Sequence, residues 1–235
     1  MIVTESILND VKTHVNVSPH REICGLIVSH RRKNFYVPCA NISQGENEFI
    51  IDAVEFADIS DKYKVLAVVH SHIGISPKPS QADLISIEKN NLPFLIVNYP
   101  LNTHTWTEPT GYVAPFIGRP FVHGVTDCYA MLVDYYKHEL NLDIKDYERQ
   151  SEWWSKGDNL YLENYADAGF IKVNDLQVND IIIMQVASPV PNHCAIYLGD
   201  NIILHHVMNR ASSRDVYGGY WRKITSIIVR HKSLC

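Results

Sequence analysis

No apolar run in the sequence approaches the roughly 20 residues that span a bilayer, so no membrane insertion is expected. The chain does not open with a basic stretch followed by an apolar segment, and no signal peptide is expected. Its five cysteines, odd in number and without paired spacing, do not describe a disulfide framework and fit synthesis in a reducing compartment. Lysine and arginine number 21 against 26 aspartates and glutamates, and the net charge of −5 is shared by both halves. Arg31-Arg32-Lys33 is the only basic run; lying between two predicted strands, it reads as a solvated hairpin turn. No nucleic-acid footprint is present. Internal repeats and low-complexity tracts are also missing.

What remains is ordinary globular material, 46% apolar and 20% charged, and 235 residues suffice for two compact domains of about 110 to 120 residues each. Two prolines and a glycine in Pro109-Thr110-Gly111-Tyr112-Val113-Ala114-Pro115 interrupt both strand and helix patterns. The expected division is therefore residues 1–108, a linker over 109–118, and residues 119–235. Before the linker the patterns predict a helix, two strands, a helix over 52–63, a strand, a helix over 80–89 and a strand over 94–97. After it they predict helices over 128–140 and 158–168, then strands near 178–186, 193–198, 201–205 and 224–230. Both halves read as α+β, or mixed α/β.

The most informative stretch is His70-Ser71-His72, followed after seven residues by Ser80-Gln81-Ala82-Asp83. Imidazole nitrogens and a carboxylate suit Zn²⁺. Val65 to Val69 reads as a buried strand, and side chains two apart on extended backbone point the same way, so His70 and His72 can face one ion. Ser80 and Asp83 begin a helix that returns toward the strand end. Three protein ligands leave a fourth position for water, as in a catalytic zinc site. Glu22, before the apolar strand Ile23–Val28, is the candidate general base. Taken singly, each piece has a plainer meaning. Two loop histidines are common, Ser-x-x-Asp is a helix capping box, and Glu22 can be an ordinary strand carboxylate.

The joint pattern of a distant Glu, His-x-His, seven residues and Ser-x-x-Asp resembles the JAMM/MPN metalloprotease family over roughly residues 1–108. The resemblance implies that His70, His72 and Asp83 hold zinc. It also implies that Glu22 activates a bound water and that Ser80 helps stabilise the tetrahedral intermediate.

A second site follows. Cys128, Leu132, Tyr135 or Tyr136, and Leu140 recur at helical spacing after Gly124-Val125-Thr126-Asp127, which puts Cys128 in a first helical turn. The partial positive charge there favours a thiolate. A base and an orienting group lie in the hairpin from His193 to His205, where two apolar strands flank Gly199-Asp200-Asn201. Antiparallel pairing brings His193 and His205 together at one end, whereas His206 points to the opposite face of a regular strand. Asp127 reads as a helix cap, and Cys24, Cys39 and Cys194 as small buried apolar residues. Trp153, Trp154, Tyr161 and Tyr165 read as helix-packing core rather than a glycan platform. His123 is a possible cleft residue only.

Asp-Cys at a helix start, His-x-x-Ile-Tyr-Leu-Gly, and a polar residue twelve positions on resemble the NlpC-type cell-wall cysteine peptidases, which are papain-like. The resemblance covers roughly residues 119–235. It implies cleavage of peptidoglycan stem peptides, with Cys128 as nucleophile, His193 as general base and acid, and His205 as the orienter of His193.

The order of the two halves, together with Gly118-Arg119-Pro120-Phe121-Val122-His123-Gly124-Val125-Thr126-Asp127-Cys128-Tyr129, resembles the tail assembly proteins of lambda-like tailed phages. That resemblance implies a tail-tip hydrolase whose partners are bacterial peptidoglycan and other phage tail tip proteins. Its implied location is the host cytoplasm during assembly and the virion tail tip. A structural assembly factor, its sites vestigial or used to process a tail protein, is the first alternative. An isopeptidase acting on ubiquitin-like conjugates is the second.

Overall fold

The computed structural model describes residues 2–45 and 47–235. The chain divides into two compact units, Met1–Val113 and Ala114–Cys235. Among the described residues no helix is long and apolar enough to cross a membrane.

The first unit opens with helix α1, Glu5–Val17, whose N-terminal N–H groups are capped by Thr4. Its buried residues Ile7, Val11 and Val15 are spaced by four, one stripe of a helix. Strands β1 (Cys24–His30) and β2 (Lys33–Cys39) form a hairpin with His30 opposite Lys33. Arg31 and Arg32 are the two turn residues, with φ of 48° and 67°, the left-handed values that such a tight turn demands. Gly25 is required by close approach, because a Cβ there would lie 2.5 Å from the Tyr36 ring and from the Val37 carbonyl.

Helix α2 (Ala53–Lys62), β3 (Lys64–Ile73), α3 (Gln81–Asn90), β4 (Phe94–Tyr99) and β5 (His104–Thr107) complete the unit. The sheet order is β2-β1-β3-β4-β5, with β3 and β4 parallel and the other neighbours antiparallel. Alternation separates the two faces. Ile23, Ile27, Ala67, Val69, Leu95 and Val97 pack with α1. Cys24, Leu26, Val68, Phe94 and Ile96 pack on the other face with Ile59 of α2 and Ile87 of α3. His70 and His72 share the parity of Val68 and so belong to the second face. Strand β5 is additional to the elements predicted from sequence, and β3 runs through both histidines rather than stopping at Val69. Residues 110 and 112 are tied to α3, their N–H groups donating to the Glu88 carboxylate at 2.6 and 3.0 Å.

The second unit is held at its start by Arg119, which is wholly buried. Its guanidinium donates to the carbonyls of Ala114 and Pro115 at 2.8 Å and pairs with Asp134 at 2.5 Å. Helix α4 spans Cys128–Leu140, and a 3₁₀ turn, Trp153–Lys156, precedes the short α5, Leu160–Asn164. Six strands follow: β6 (Phe170–Val173), β7 (Ile181–Met184), β8 (His193–Gly199), β9 (Ile202–His205), β10 (Ser213–Val216) and β11 (Thr225–His231). Helix α6, Gly219–Lys223, lies between the last two. The sheet is antiparallel, in the order β10-β9-β8-β7-β11-β6.

Met131, Leu132 and Tyr136 of α4 pack on Ile181, Ile183, Cys194, Ile196 and Leu204. The opposite face carries Ile182, Met184, Ala195 and Ile203 under Trp221. The helix expected over 158–168 is shorter, because Phe170 pairs with His231 and draws the chain out of the helix. Strands β6 and β10 and helix α6 were not expected. Each is only four or five residues long, too short for a periodic apolar signal.

Candidate functional site

In the first unit, strand β3 and the first turn of α3 bring three ligand-type side chains together. His70 Nε2 lies 3.2 Å from His72 Nε2 and 3.2 Å from Asp83 Oδ1, and His72 Nε2 lies 3.4 Å from Asp83 Oδ2. All three residues are buried. Ligands about 2.0–2.1 Å from a tetrahedral ion stand about 3.3 Å from one another. The donor set therefore has the spacing of a tetrahedral metal site, and among the described residues it is the one group of this kind. His72 Nδ1 lies 2.7 Å from the Ser76 carbonyl, an arrangement that places its proton there and leaves Nε2 as a lone-pair donor. Burial lowers the pKa of His70 and favours the neutral, ligating form. Burial alone would raise the pKa of Asp83, but the neighbouring imidazoles of His70 and His72 and the Ser80 cap hold its carboxyl well below the usual range.

Glu22 is buried just ahead of β1, and its neighbours include His72 and Asp83. Burial, more than any neighbouring charge, pushes its pKa up to about 7. Ser80 is the N-cap of α3. Its hydroxyl accepts the Asp83 N–H at 3.1 Å, while the Asp83 carboxylate accepts the Ser80 N–H at 2.7 Å. This reciprocal capping box is why Asp83 faces the strand end.

In the second unit Cys128 is the first residue of α4, and its N-cap is Asp127, which accepts the Ala130 N–H at 2.8 Å. Asp127 is itself gripped at both oxygens by Arg149, each contact 3.1 Å. Cys128 is 8% exposed and lines a small cleft with His193, Phe121, Trp153, Trp154 and His206. His193 opens β8 and His205 ends β9, where it pairs with Ala195. Their rings meet diagonally, with His193 Nε2 3.1 Å from His205 Nδ1. His206 lies past the strand and contacts the Thr126 carbonyl through Nδ1. His123 also lines the cleft, its Nε2 3.0 Å from the carbonyls of Arg149 and Gln150.

Three residues at this site escaped the sequence reading. The Tyr161 hydroxyl lies 3.3 Å from both the Cys128 and the Cys194 sulfurs, although Tyr161 and Cys194 read as packing residues in the sequence. Asp215, on the unexpected strand β10, lies 3.1 Å from His205 Nε2. A hydrogen bond from the Cys194 thiol, the charge and hydrogen bond of His193, and the Tyr161 hydroxyl overcome burial and hold Cys128 well below the ordinary thiol pKa. Burial and the neighbouring Cys128 push Cys194 the other way. Of the two thiols, Cys128 is the one more readily ionised.

Residues 118–230 match the NlpC/P60 family, and residues 4–108 match the prokaryotic homologs of the JAB domain. Tail tip assembly protein K of Escherichia phage N15 is 32% identical over 231 residues, 97% of this chain and 95% of that protein. Tail tip assembly protein K of Escherichia phage lambda is 36% identical over 172 residues, 72% of this chain and 83% of that protein. Among solved structures, a JAB1/MPN domain protein from Archaeoglobus fulgidus is 20% identical, with a TM-score of 0.33, covering 49% of this chain and 95% of its own. The class is thus a two-domain α+β chain in which a JAB homologue precedes a domain of the NlpC/P60 cysteine peptidase class. More narrowly, the chain belongs to the tail tip assembly protein K family of lambda-like phages.

Proposed function

We propose that this protein is a phage tail tip hydrolase whose second domain, residues 119–235, cleaves peptidoglycan stem peptides. The observation that carries this reading is the Cys128 thiol at a helix N-terminus, with its pKa lowered, in a cleft shared with His193, which His205 backs at 3.1 Å. In this mechanism the Cys128 thiolate attacks the scissile carbonyl carbon. Protonated His193 then gives its proton to the departing amine as the C–N bond breaks. Water, losing a proton to His193, hydrolyses the thioester and releases the new carboxylate and the thiol. His205 keeps the His193 ring oriented through both steps.

Residues 1–108 form the second proposed site, a zinc-dependent (iso)peptidase-like centre whose substrate is a separate question; residues 109–118 join the two. His70, His72 and Asp83 would hold the ion, which would supply Lewis acidity. Buried Glu22, raised to about 7, is suited to take up and return a proton near neutral pH. Ser80 uses its hydroxyl oxygen to accept the Asp83 N–H, which leaves its own proton to donate to developing charge.

The curated relatives are tail tip assembly proteins, which supports a place among other tail tip proteins, with synthesis in the host cytoplasm and action at the tail tip. The same names support a second reading, in which the first domain processes a tail protein during assembly. Incubation of the full chain with purified sacculi, followed by mass spectrometry, tests the main reading. Stem-peptide fragments are expected from the wild type and none from Cys128→Ala. Intact sacculi with both proteins would overturn it.

A further inference from the structure

We propose that Asp215 is a positioning residue of the Cys128 site, fixing which nitrogen carries the proton on each of the two histidines. The proposal rests on the Cys128–His193–His205 reading above. Strands β8, β9 and β10 are adjacent, and their register sets one row, Ala195 opposite His205 opposite Ser213. Opposed side chains of antiparallel strands share a face, and so do positions two apart. His193, His205 and Asp215 therefore lie on one face, each a diagonal step from the next. His193 Nε2 is 3.1 Å from His205 Nδ1, and His205 Nε2 is 3.1 Å from Asp215 Oδ2. Trp221 stands edge-on to His205 at 4.6 Å and also flanks His193.

His205 is wholly buried, and its Nε2 has no well-aligned partner; the short, bent contact to Asp215 is the acceptor within reach. The other carboxylate oxygen is engaged by Arg210 at 2.6 Å. Asp215 thus divides its oxygens between Arg210 and His205.

Counting protons gives the consequence. A carboxylate only accepts, so Asp215 requires the hydrogen of His205 on Nε2. Burial and the charge of His193 lower the pKa of His205 to about 4, so the ring is neutral at ordinary pH and has no second proton. Its Nδ1 is then a bare acceptor. Only one hydrogen fits between two imidazole nitrogens 3.1 Å apart, so His193 must supply it from Nε2. That leaves His193 Nδ1 free to exchange a proton with the thiol. The opposite tautomer of His205 would donate from Nδ1, force the His193 proton onto Nδ1 in the neutral ring, and deprive Cys128 of its base. Asp215 selects against that arrangement.

The test is tautomer-resolving ¹H–¹⁵N NMR of histidine-labelled full-length protein, paired with the pH dependence of Cys128 alkylation. The His205 signals are assigned from His205→Gln. In wild type His205 should be protonated on Nε2. Asp215→Ala should shift a measurable fraction to Nδ1 and slow Cys128 alkylation at pH 6 by about tenfold or more. Asp215→Glu, which keeps the carboxylate, should restore part of both. Arg214→Ala, next along β10 with its side chain exposed, should move neither. An unchanged tautomer and alkylation profile in folded Asp215→Ala would overturn the proposal. An equal shift in Arg214→Ala would also overturn it, by assigning the effect to the strand. If His205→Gln itself leaves Cys128 alkylation unchanged, the Cys128–His193–His205 reading fails, whatever Asp215 does to the tautomer.

Discussion

The Tyr161 hydroxyl stands 3.3 Å from the sulfur of Cys128. Its one proton has the Cys194 sulfur equally near, and directed at an ionised Cys128 it makes a charge-assisted hydrogen bond, worth about 1.5–3 kcal/mol. Tyr161→Phe keeps the ring and removes that proton. The Cys128 pKa should rise by about one unit or more, and alkylation at pH 6 should slow by about tenfold. A rate profile against pH, read by mass spectrometry, checks this. A profile that does not move would mean that the hydroxyl only packs.

Selective labelling is a second expectation. Burial pushes Cys24 and Cys39 up to about 12, and Cys194 is also raised, whereas Cys235 is exposed. Free cysteine is almost wholly protonated at pH 6. Brief iodoacetamide treatment at pH 6 should therefore mark Cys128 ahead of the other four cysteines. Peptide mapping that shows Cys235 ahead at pH 6 would contradict a lowered Cys128 pKa.

For the first domain the expected stoichiometry is one zinc per chain, with ligand distances of about 2.0–2.2 Å by X-ray absorption. His70→Ala should lose tight binding, and Glu22→Gln should retain it. A hundredfold excess of free zinc over Kd should stabilise the domain by about 2.7 kcal/mol. A chelator should leave Cys128 chemistry untouched. Stoichiometric zinc in a His70→Ala/His72→Ala double variant would remove these residues from the assignment.

Arg119 predicts a stability effect of its own. It is fully buried and satisfies two carbonyls and Asp134. Arg119→Ala should cost about 3 kcal/mol or more, because those acceptors lose their partners together. Arg119→Lys should recover little, since one ammonium does not reproduce the guanidinium fork. Urea denaturation of the full chain measures it, and a loss below about 1 kcal/mol would show that water replaces the side chain.

Acid should weaken the second domain in a defined window. His205 is neutral when folded, with a pKa of about 4 against an ordinary 6.5, because burial disfavours its charged form. As pH falls below 6.5 the unfolded chain binds a proton that the folded chain refuses, so stability drops until pH reaches about 4. One such group contributes at most about 3 kcal/mol. His206, lowered chiefly by burial, acts in the same direction. His205→Asn should flatten the fall in denaturation midpoint between pH 6.5 and 4, and an unchanged slope would exclude His205 as its source.

Much of both sites is legible in the sequence, because it depends on periodicities a few residues long. A period of two puts His70 and His72 on one strand face, and the same period separates His205 from His206. A capping box places Asp83 at the start of α3, and the Asp127 cap sets Cys128 at the head of α4. Tertiary structure alone decided the rest. Ser213–Val216 has no apolar alternation and becomes a strand only because β9 offers it an edge, and that pairing brings Asp215 to His205. Tyr161 and Cys194 reach Cys128 because α4 packs on β8, a contact spanning 33 residues in each direction along the chain from Tyr161. Local propensity acts over a few residues and sets which side chains share a face. Register and packing join segments far apart, and they determine which of those faces meet.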